Sequence, residues 1–299
     1  MKIFMTGGTG FVGKYLAKRF ISEGHTVAIL TPAVGDRDLQ MEGLSYIAGR
    51  PTVRSEWQNS VPDYNVFINL AGASIFSRWT PEQKKILVSS RIETTRNLVE
   101  ALPKNAGHVT FFSTSAVGYY GFHEDENLVE SDATGRDFLA RLADDWEQEA
   151  CRAQGKEARV IVTRFGIVLG KNGGALGQML PLFKYYIGGP LGSGRQWFSW
   201  VHMQDLAEAF IFLLGRRDLS GAFNVCSPNP VRNRDLGKAI GKVLGRPSFM
   251  PAPGFMIRLL LGEFGSVLLK GQRVIPRRLL DAGFRFRYPI IEEALKSII

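Results

Sequence analysis

Met5-Thr6-Gly7-Gly8-Thr9-Gly10-Phe11-Val12-Gly13 is the stretch that decides the fold of this chain. The apolar run at 2–5 before it reads as a buried strand. From Gly13 onward apolar residues recur every three or four positions, the spacing of an amphipathic helix. Between strand and helix stand three glycines at intervals of three. Such a turn needs glycine where the backbone reverses, where it approaches a diphosphate, and where helix packs on strand. The helix N-terminus then offers free N–H groups and a partial positive charge to the phosphates. Gly7, Thr9, Gly10, Phe11, Val12 and Gly13 are therefore the expected cofactor contacts, and the ligand expected there is a nicotinamide dinucleotide. The alternative is a glycine turn with a purely structural role.

The pattern repeats downstream. Strands are expected at 2–5, 26–30, 66–70, 109–113 and 160–165, alternating with helices at 13–23, 81–101 and 137–154. Such alternation predicts an α/β fold, a Rossmann-type doubly wound parallel sheet. Thr80-Pro81-Glu82-Gln83 opens the second helix with a capping hydroxyl, a proline at the first turn and a Gln three positions on. Beyond Gly170 glycines crowd a stretch broken by Pro181 and Pro190, which reads as loops around a cleft. Helix returns at 202–215, followed by a short strand near Asn224, a helix at 234–244 and an apolar, basic tail. Residues 1–170 and 201–221 are assigned to the dinucleotide-binding domain. Residues 171–200 and 222–299 are assigned to a smaller mixed substrate-side domain.

The second strand ends at Leu30-Thr31-Pro32, where an acid would take the ribose 2′-hydroxyl of NAD and an arginine the 2′-phosphate of NADP. Neither is there; Asp36, Arg37 and Asp38 come only later. Lack of an acid at 31–32 removes a repulsion and leans the cofactor toward NADP, with NAD the alternative and Thr31 able to bond either form. Asn69-Leu70-Ala71-Gly72-Ala73 closes another strand with small residues, so Leu70, Ala71 and Gly72 are expected to line the same crevice, tight packing being the alternative.

Composition narrows the class. The 299 residues carry a net charge of +9, with 45% apolar and 22% charged residues. Residues 231–290 hold twelve Lys/Arg against three Asp/Glu, so the rest of the chain balances at 25 of each. The excess favours an anionic ligand or is a solvated basic face. No interleaved aromatic or zinc-finger pattern accompanies it, which speaks against nucleic acid. No secretory signal or spanning segment is visible, Cys151 and Cys226 sit in unlike contexts, and no metal-ligand spacing occurs. A cytoplasmic protein without membrane contact is expected, and a homodimer is the assembly kept open.

Several longer motifs go further. Gly7 to Gly13, Asn69-Leu70-Ala71-Gly72, Trp79-Thr80-Pro81-Glu82-Gln83-Lys84 and Ser90-Arg91-Ile92-Glu93-Thr94-Thr95 resemble the epimerase-family proteins of the atypical, extended short-chain dehydrogenase/reductases. So do Ser113-Thr114-Ser115-Ala116-Val117-Gly118-Tyr119-Tyr120-Gly121, Gly192-Ser193-Gly194-Arg195-Gln196 and Trp200-Val201-His202, with Asp205 beyond. Gly271 to Pro276 and Ala282 to Phe286 resemble that family's small C-terminal domain. The resemblance implies an NADP-binding, nucleotide-sugar-epimerase-like fold without naming a substrate. It also implies that Arg91 reaches the cofactor phosphates; otherwise Arg91 is a surface cation beside Glu93 or Glu100. Pro32 stands where relatives often place an arginine for the 2′-phosphate.

Short-chain dehydrogenases move hydride with a Ser and a Tyr-x-x-x-Lys pair, the lysine lowering the tyrosine's pKa. Ser115 matches the serine. The helix at 137–154 holds neither tyrosine nor lysine, and none of the eight tyrosines has a lysine four residues on. Ser115, Tyr120 and Tyr119 are the catalytic candidates, with aromatic lining as the other reading of the tyrosines. Arg195, Gln196 and His202 are the substrate-side candidates, for an anionic or sugar-nucleotide small molecule, or else loop and helix anchors. The expected functions are an NADP-dependent oxidoreductase or epimerase, and a non-catalytic dinucleotide-binding sensor.

Overall fold

The computed structural model describes residues 1–33, 35 and 40–299. Seven parallel strands form the central sheet: β1 (Lys2–Thr6), β2 (Thr26–Thr31), β3 (Leu44–Ala48), β4 (Val66–Asn69), β5 (Thr110–Ala116), β6 (Arg159–Phe165) and β7 (Gly221–Val225). Their order is β7-β6-β5-β4-β1-β2-β3, which reverses between β1 and β4. The fold is therefore α/β, Rossmann-like and doubly wound, and its crevice opens at the carboxyl ends of β1 and β4. Alternate residues of one strand feed opposite layers. Ile3 and Met5 join the core beneath α1 (Phe11–Ser22) and α5 (Met203–Gly215), while Phe4 joins that beneath α2 (Pro81–Ala101) and α3 (Phe138–Cys151). Thr80 caps α2 by accepting from the Gln83 N–H at 3.2 Å.

Two of the elements that differ from the sequence expectation shape the sheet edge and the smaller lobe. β3 is a half-buried edge strand, and five residues of mixed polarity are too few to show a clear period. The glycine-rich stretch expected to be loop holds α4 (Gly174–Lys184). Leu176, Met179, Leu180 and Phe183 place a helical apolar stripe against α6 (Asn233–Leu244) and α10 (Ile291–Ile298), which outweighs Pro181. The remaining helices are α7 (Gly254–Leu261), α8 (Glu263–Leu268) and α9 (Arg277–Asp281). β7 pairs with β6, and Leu279 and Phe284 of the C-terminal segment enter the core under α5, so late chain is built into the large sheet's own layer.

Candidate functional site

Three glycines shape the crevice for different reasons. Gly7 has φ +68°, and a Cβ there would meet the Leu70 carbonyl carbon at 2.7 Å and the Ala71 nitrogen at 2.8 Å. Glycine thus lets the β1 turn lie against the segment leaving β4. At Gly13 a Cβ would fall 2.3 Å from the Gly7 oxygen, so this position serves helix-on-strand packing. Gly10 differs: a Cβ would meet only the Gly7 oxygen, at 3.2 Å, and the residue is exposed. It begins α1 with no side-chain cap and no acid in the first turn. The first N–H groups of a helix lack intrahelical partners, so this end presents donors and positive potential to the crevice. The Phe11 ring points elsewhere, wedged against Gly170, Gly173 and Gly174, and Val12 packs on the core, which leaves their backbones for a ligand.

Beneath the opposite wall lies Arg91. Its guanidinium donates to the carbonyls of Ala73 and Leu87, both at 3.1 Å, and sits 5.3 Å from the Trp146 ring. A Cβ on Gly72 would stand 3.0 Å from Arg91 Cζ. Burial pushes its pKa down to about 10, and among the described residues no carboxylate answers it. The ion pair with Glu93 or Glu100 that the surface-cation alternative needs is not formed among the described residues; Glu100 pairs with Arg54. A desolvated cation with only carbonyl partners is costly unless an anion joins it. The wall is held from below by hydrogen bonds of 2.8 Å running from Thr6 to Asn69, from Asn69 to Thr95, and from Trp146 to Thr95.

At the end of β2 the Thr31 hydroxyl donates to the Ala33 carbonyl at 3.0 Å, so only its lone pairs remain for a ribose. Asp36, Arg37 and Asp38 lie outside the described residues.

The catalytic candidates stand differently from the expectation. Ser115 is buried and its hydroxyl donates to Glu147 at 2.6 Å. Arg164 grips the same carboxylate twice, at 2.8 and 2.7 Å, and donates to the Tyr120 hydroxyl at 2.9 Å. Tyr120 donates onward to Asn224 at 2.7 Å. Tyr120 is 0% exposed and burial raises its pKa well above that of a free phenol. Both hydroxyls expected to serve a substrate are thus engaged within the protein: the Ser115 proton is held by a carboxylate, and the Tyr120 phenol is fully buried between Arg164 and Asn224. Glu147 and Arg164 were missed; an arginine inside the apolar run Val160-Ile161-Val162-Thr163-Arg164-Phe165 was their signal in the sequence. Tyr119 is half-buried, its ring 3.5 Å from the Arg164 guanidinium. Burial raises its pKa and the Arg164 charge opposes that.

On the substrate side, Gln196 donates to the Leu191 and Leu268 carbonyls, both at 3.1 Å, while its own side-chain oxygen is buried without a partner. Arg195 is exposed. Nearby, Trp197 donates to Asp125 at 3.1 Å and has Arg232 and Arg273 at 3.9 and 4.7 Å from its ring. His202 caps α5, its Nδ1 accepting from Gln204 N–H at 3.1 Å, and its ring lies tilted against that of Tyr288, 4.0 Å between centroids. Burial, reinforced by Arg287, lowers its pKa to about 4. Of the two readings of His202, substrate contact and helix anchor, the geometry shows the anchor: the neutral ring caps the N-terminus of α5. Asp205 beside it accepts from the backbone of Arg287 and Tyr288 at 2.8 and 2.9 Å.

Comparison with known proteins adds to this geometry. Residues 3–226 match the NAD dependent epimerase/dehydratase family, and residues 252–298 a domain of unknown function, DUF1731. The chain is 39% identical to the epimerase family protein SDR39U1 homolog, chloroplastic, of Arabidopsis thaliana, over 100% of this chain and 87% of that one. It is 38% identical to epimerase family protein YfhF of Bacillus subtilis, over 100% and 98%. Human epimerase family protein SDR39U1 (isoform2), solved with NADPH, superposes with a TM-score of 0.88 at 32% identity, over 100% and 99%. MoeE5 in complex with UDP-glucuronic acid and NAD shares the fold, with a TM-score of 0.81 at 19% identity over 100% and 97%.

Proposed function

The chain belongs to the NAD-dependent epimerase/dehydratase family, and on that premise we propose that it binds NADP(H) across the β1–β4 crevice, NADPH more tightly than NADH. The observation that carries this reading is Arg91, a half-buried, largely desolvated cation beneath Gly72 with no carboxylate partner among the described residues, across from the uncapped N-terminus of α1. Two diphosphate charges between these walls satisfy both. Gly7, Thr9, Gly10, Phe11, Val12 and Gly13 hold the diphosphate by backbone; Leu70, Ala71 and Gly72 line the opposite wall. The lack of an acid at 31–32 supports the 2′-phosphate form, as does NADPH in the human relative. Calorimetry is the test. NADPH binding at about micromolar Kd, with NADH about tenfold weaker, is expected; NADH bound more tightly overturns the preference, and no binding of either overturns the reading.

Turnover is a second reading, and Tyr119 favours it. Of the three candidate hydroxyls it alone is neither fully buried nor tied to a carboxylate. Bound NADPH would supply hydride to a carbonyl carbon, and the Tyr119 phenol would give its proton to the carbonyl oxygen. With a raised pKa, Tyr119 serves at neutral pH as an acid rather than a base. Reduction of a small, anionic or nucleotide-linked carbonyl compound therefore outpaces alcohol oxidation at pH 7. A panel of aldehydes, ketones and nucleotide sugars followed by NADPH absorbance tests it, with Tyr119→Phe expected to lose activity and keep NADPH. Silence across the panel with NADPH tightly held favours a dinucleotide-holding regulator instead.

A further inference from the structure

Helix α7 and the turn after α4 hold large apolar side chains in water. Phe255, Leu259 and Leu260 are 71%, 74% and 69% exposed, and of that helix only Ile257 is buried. Tyr185 and Phe249 are exposed to 76% and 72%. The chain segments that carry these residues adjoin. Leu191 bridges to Ala252, whose N–H donates to the Pro190 carbonyl at 2.9 Å and whose carbonyl accepts from Gly192 at 2.8 Å. Arg246 hydrogen-bonds the Tyr186 hydroxyl and lies 4.4 Å from its ring. Scattered exposed apolar residues are ordinary; a joined patch marks an interaction site.

The charges carried by segments 184–192 and 246–261 have one sign, and Glu263 just past α7 is paired with Lys84. Lys184, Arg246 and Arg258 are exposed in these segments. The sequence has no Asp or Glu between Glu157 and Asp205, and between Asp235 and Glu263 it has four Lys/Arg and no acid. A second copy docked about a two-fold axis would set this surface against itself, cation facing cation. An anionic lipid surface meets both features at once, taking the apolar side chains below its headgroups and pairing the lysine and arginines with phosphates. We propose that α7 and the flanking turns dock the protein on an anionic membrane surface. No helix among the described residues is long and apolar enough to cross a membrane, so the contact is peripheral.

The test is co-sedimentation of the full chain with vesicles of phosphatidylcholine alone or of phosphatidylcholine and phosphatidylglycerol in equal parts. Sedimentation with the second, but not the first, is expected, and it should fall with rising salt. Leu259→Ser with Leu260→Ser should weaken it at least about tenfold while NADPH binding stays unchanged. Lys184→Gln with Arg246→Gln, which leaves the apolar residues in place, should weaken it about as much. No sedimentation with either vesicle overturns the proposal, as does equal sedimentation with both. A concentration-dependent dimer in analytical ultracentrifugation that the leucine variant abolishes, together with no vesicle binding, assigns the patch to a second copy instead.

Discussion

A single side chain in this protein means what its partners make it mean. Gly10 and Gly13 look alike in the motif, yet space beside them differs. Gly10→Val has only the Gly7 oxygen to displace and stands where a diphosphate must approach. NADPH affinity should fall more than about tenfold with the melting temperature little changed; equal affinity by calorimetry makes the loop structural. Gly13→Val meets backbone at 2.3 Å and should fail to fold. Arg91→Leu removes a desolvated cation, so it should lower NADPH affinity by about 1.5–3 kcal/mol. The ligand-free protein should melt no lower than wild type, and a drop in that temperature without loss of affinity would refute the assignment. His202 reads out in pH. The unfolded chain takes its proton near pH 6.5, which the fold refuses until about pH 4. Stability is untouched above 6.5 and declines between these values, by on the order of 3 kcal/mol. His202→Asn keeps a capping side chain on α5 and should flatten that part of a urea-denaturation pH profile; an unchanged slope places the titration elsewhere.

Between elements, the buried chain Ser115–Glu147–Arg164–Tyr120–Asn224 joins β5, α3, β6, the turn at Val117–Tyr120 and β7. Its side chains tie these elements together through buried hydrogen bonds. Glu147→Gln leaves the Arg164 charge buried and unmatched, which should cost about 3–5 kcal/mol. Ser115→Ala removes one hydrogen bond and Tyr120→Phe two, from Arg164 and to Asn224, and each should cost about 1–3 kcal/mol. Paired with Glu147→Gln, Ser115→Ala should add little, since the serine has then already lost its charged acceptor. Chemical denaturation of the singles and the double checks this, and full additivity would contradict a shared network.

Across the whole molecule, the C-terminal segment is part of the large domain's core. Leu279 and Phe284 pack under α5, Asp205 holds the backbone at Arg287 and Tyr288, and Arg278 donates to the carbonyls of Ala222 and Ser220. A chain ended at residue 250 should therefore lose cooperative folding and NADPH binding together, seen as the loss of a sharp thermal transition; a truncation that still binds NADPH would show two independent units. Local chemistry explains why so much was legible at the start. Apolar spacing of two and of three to four fixes strand and helix, and a left-handed turn demands glycine, so β1, the phosphate loop, α1 and the parallel sheet follow from neighbours in the chain. The C-terminal lobe was less legible, since α4 shows a helical stripe only once α6 and α10 are there to bury it. Least legible were the roles of hydroxyls, imidazoles and guanidinium groups. Ser115 meets Glu147 32 residues on, Tyr120 meets Asn224 104 residues on, and Arg91 finds no carboxylate among the described residues. What such a group does depends on who desolvates it and who takes its proton, and those partners are brought together only by the packing of the sheet and its helices.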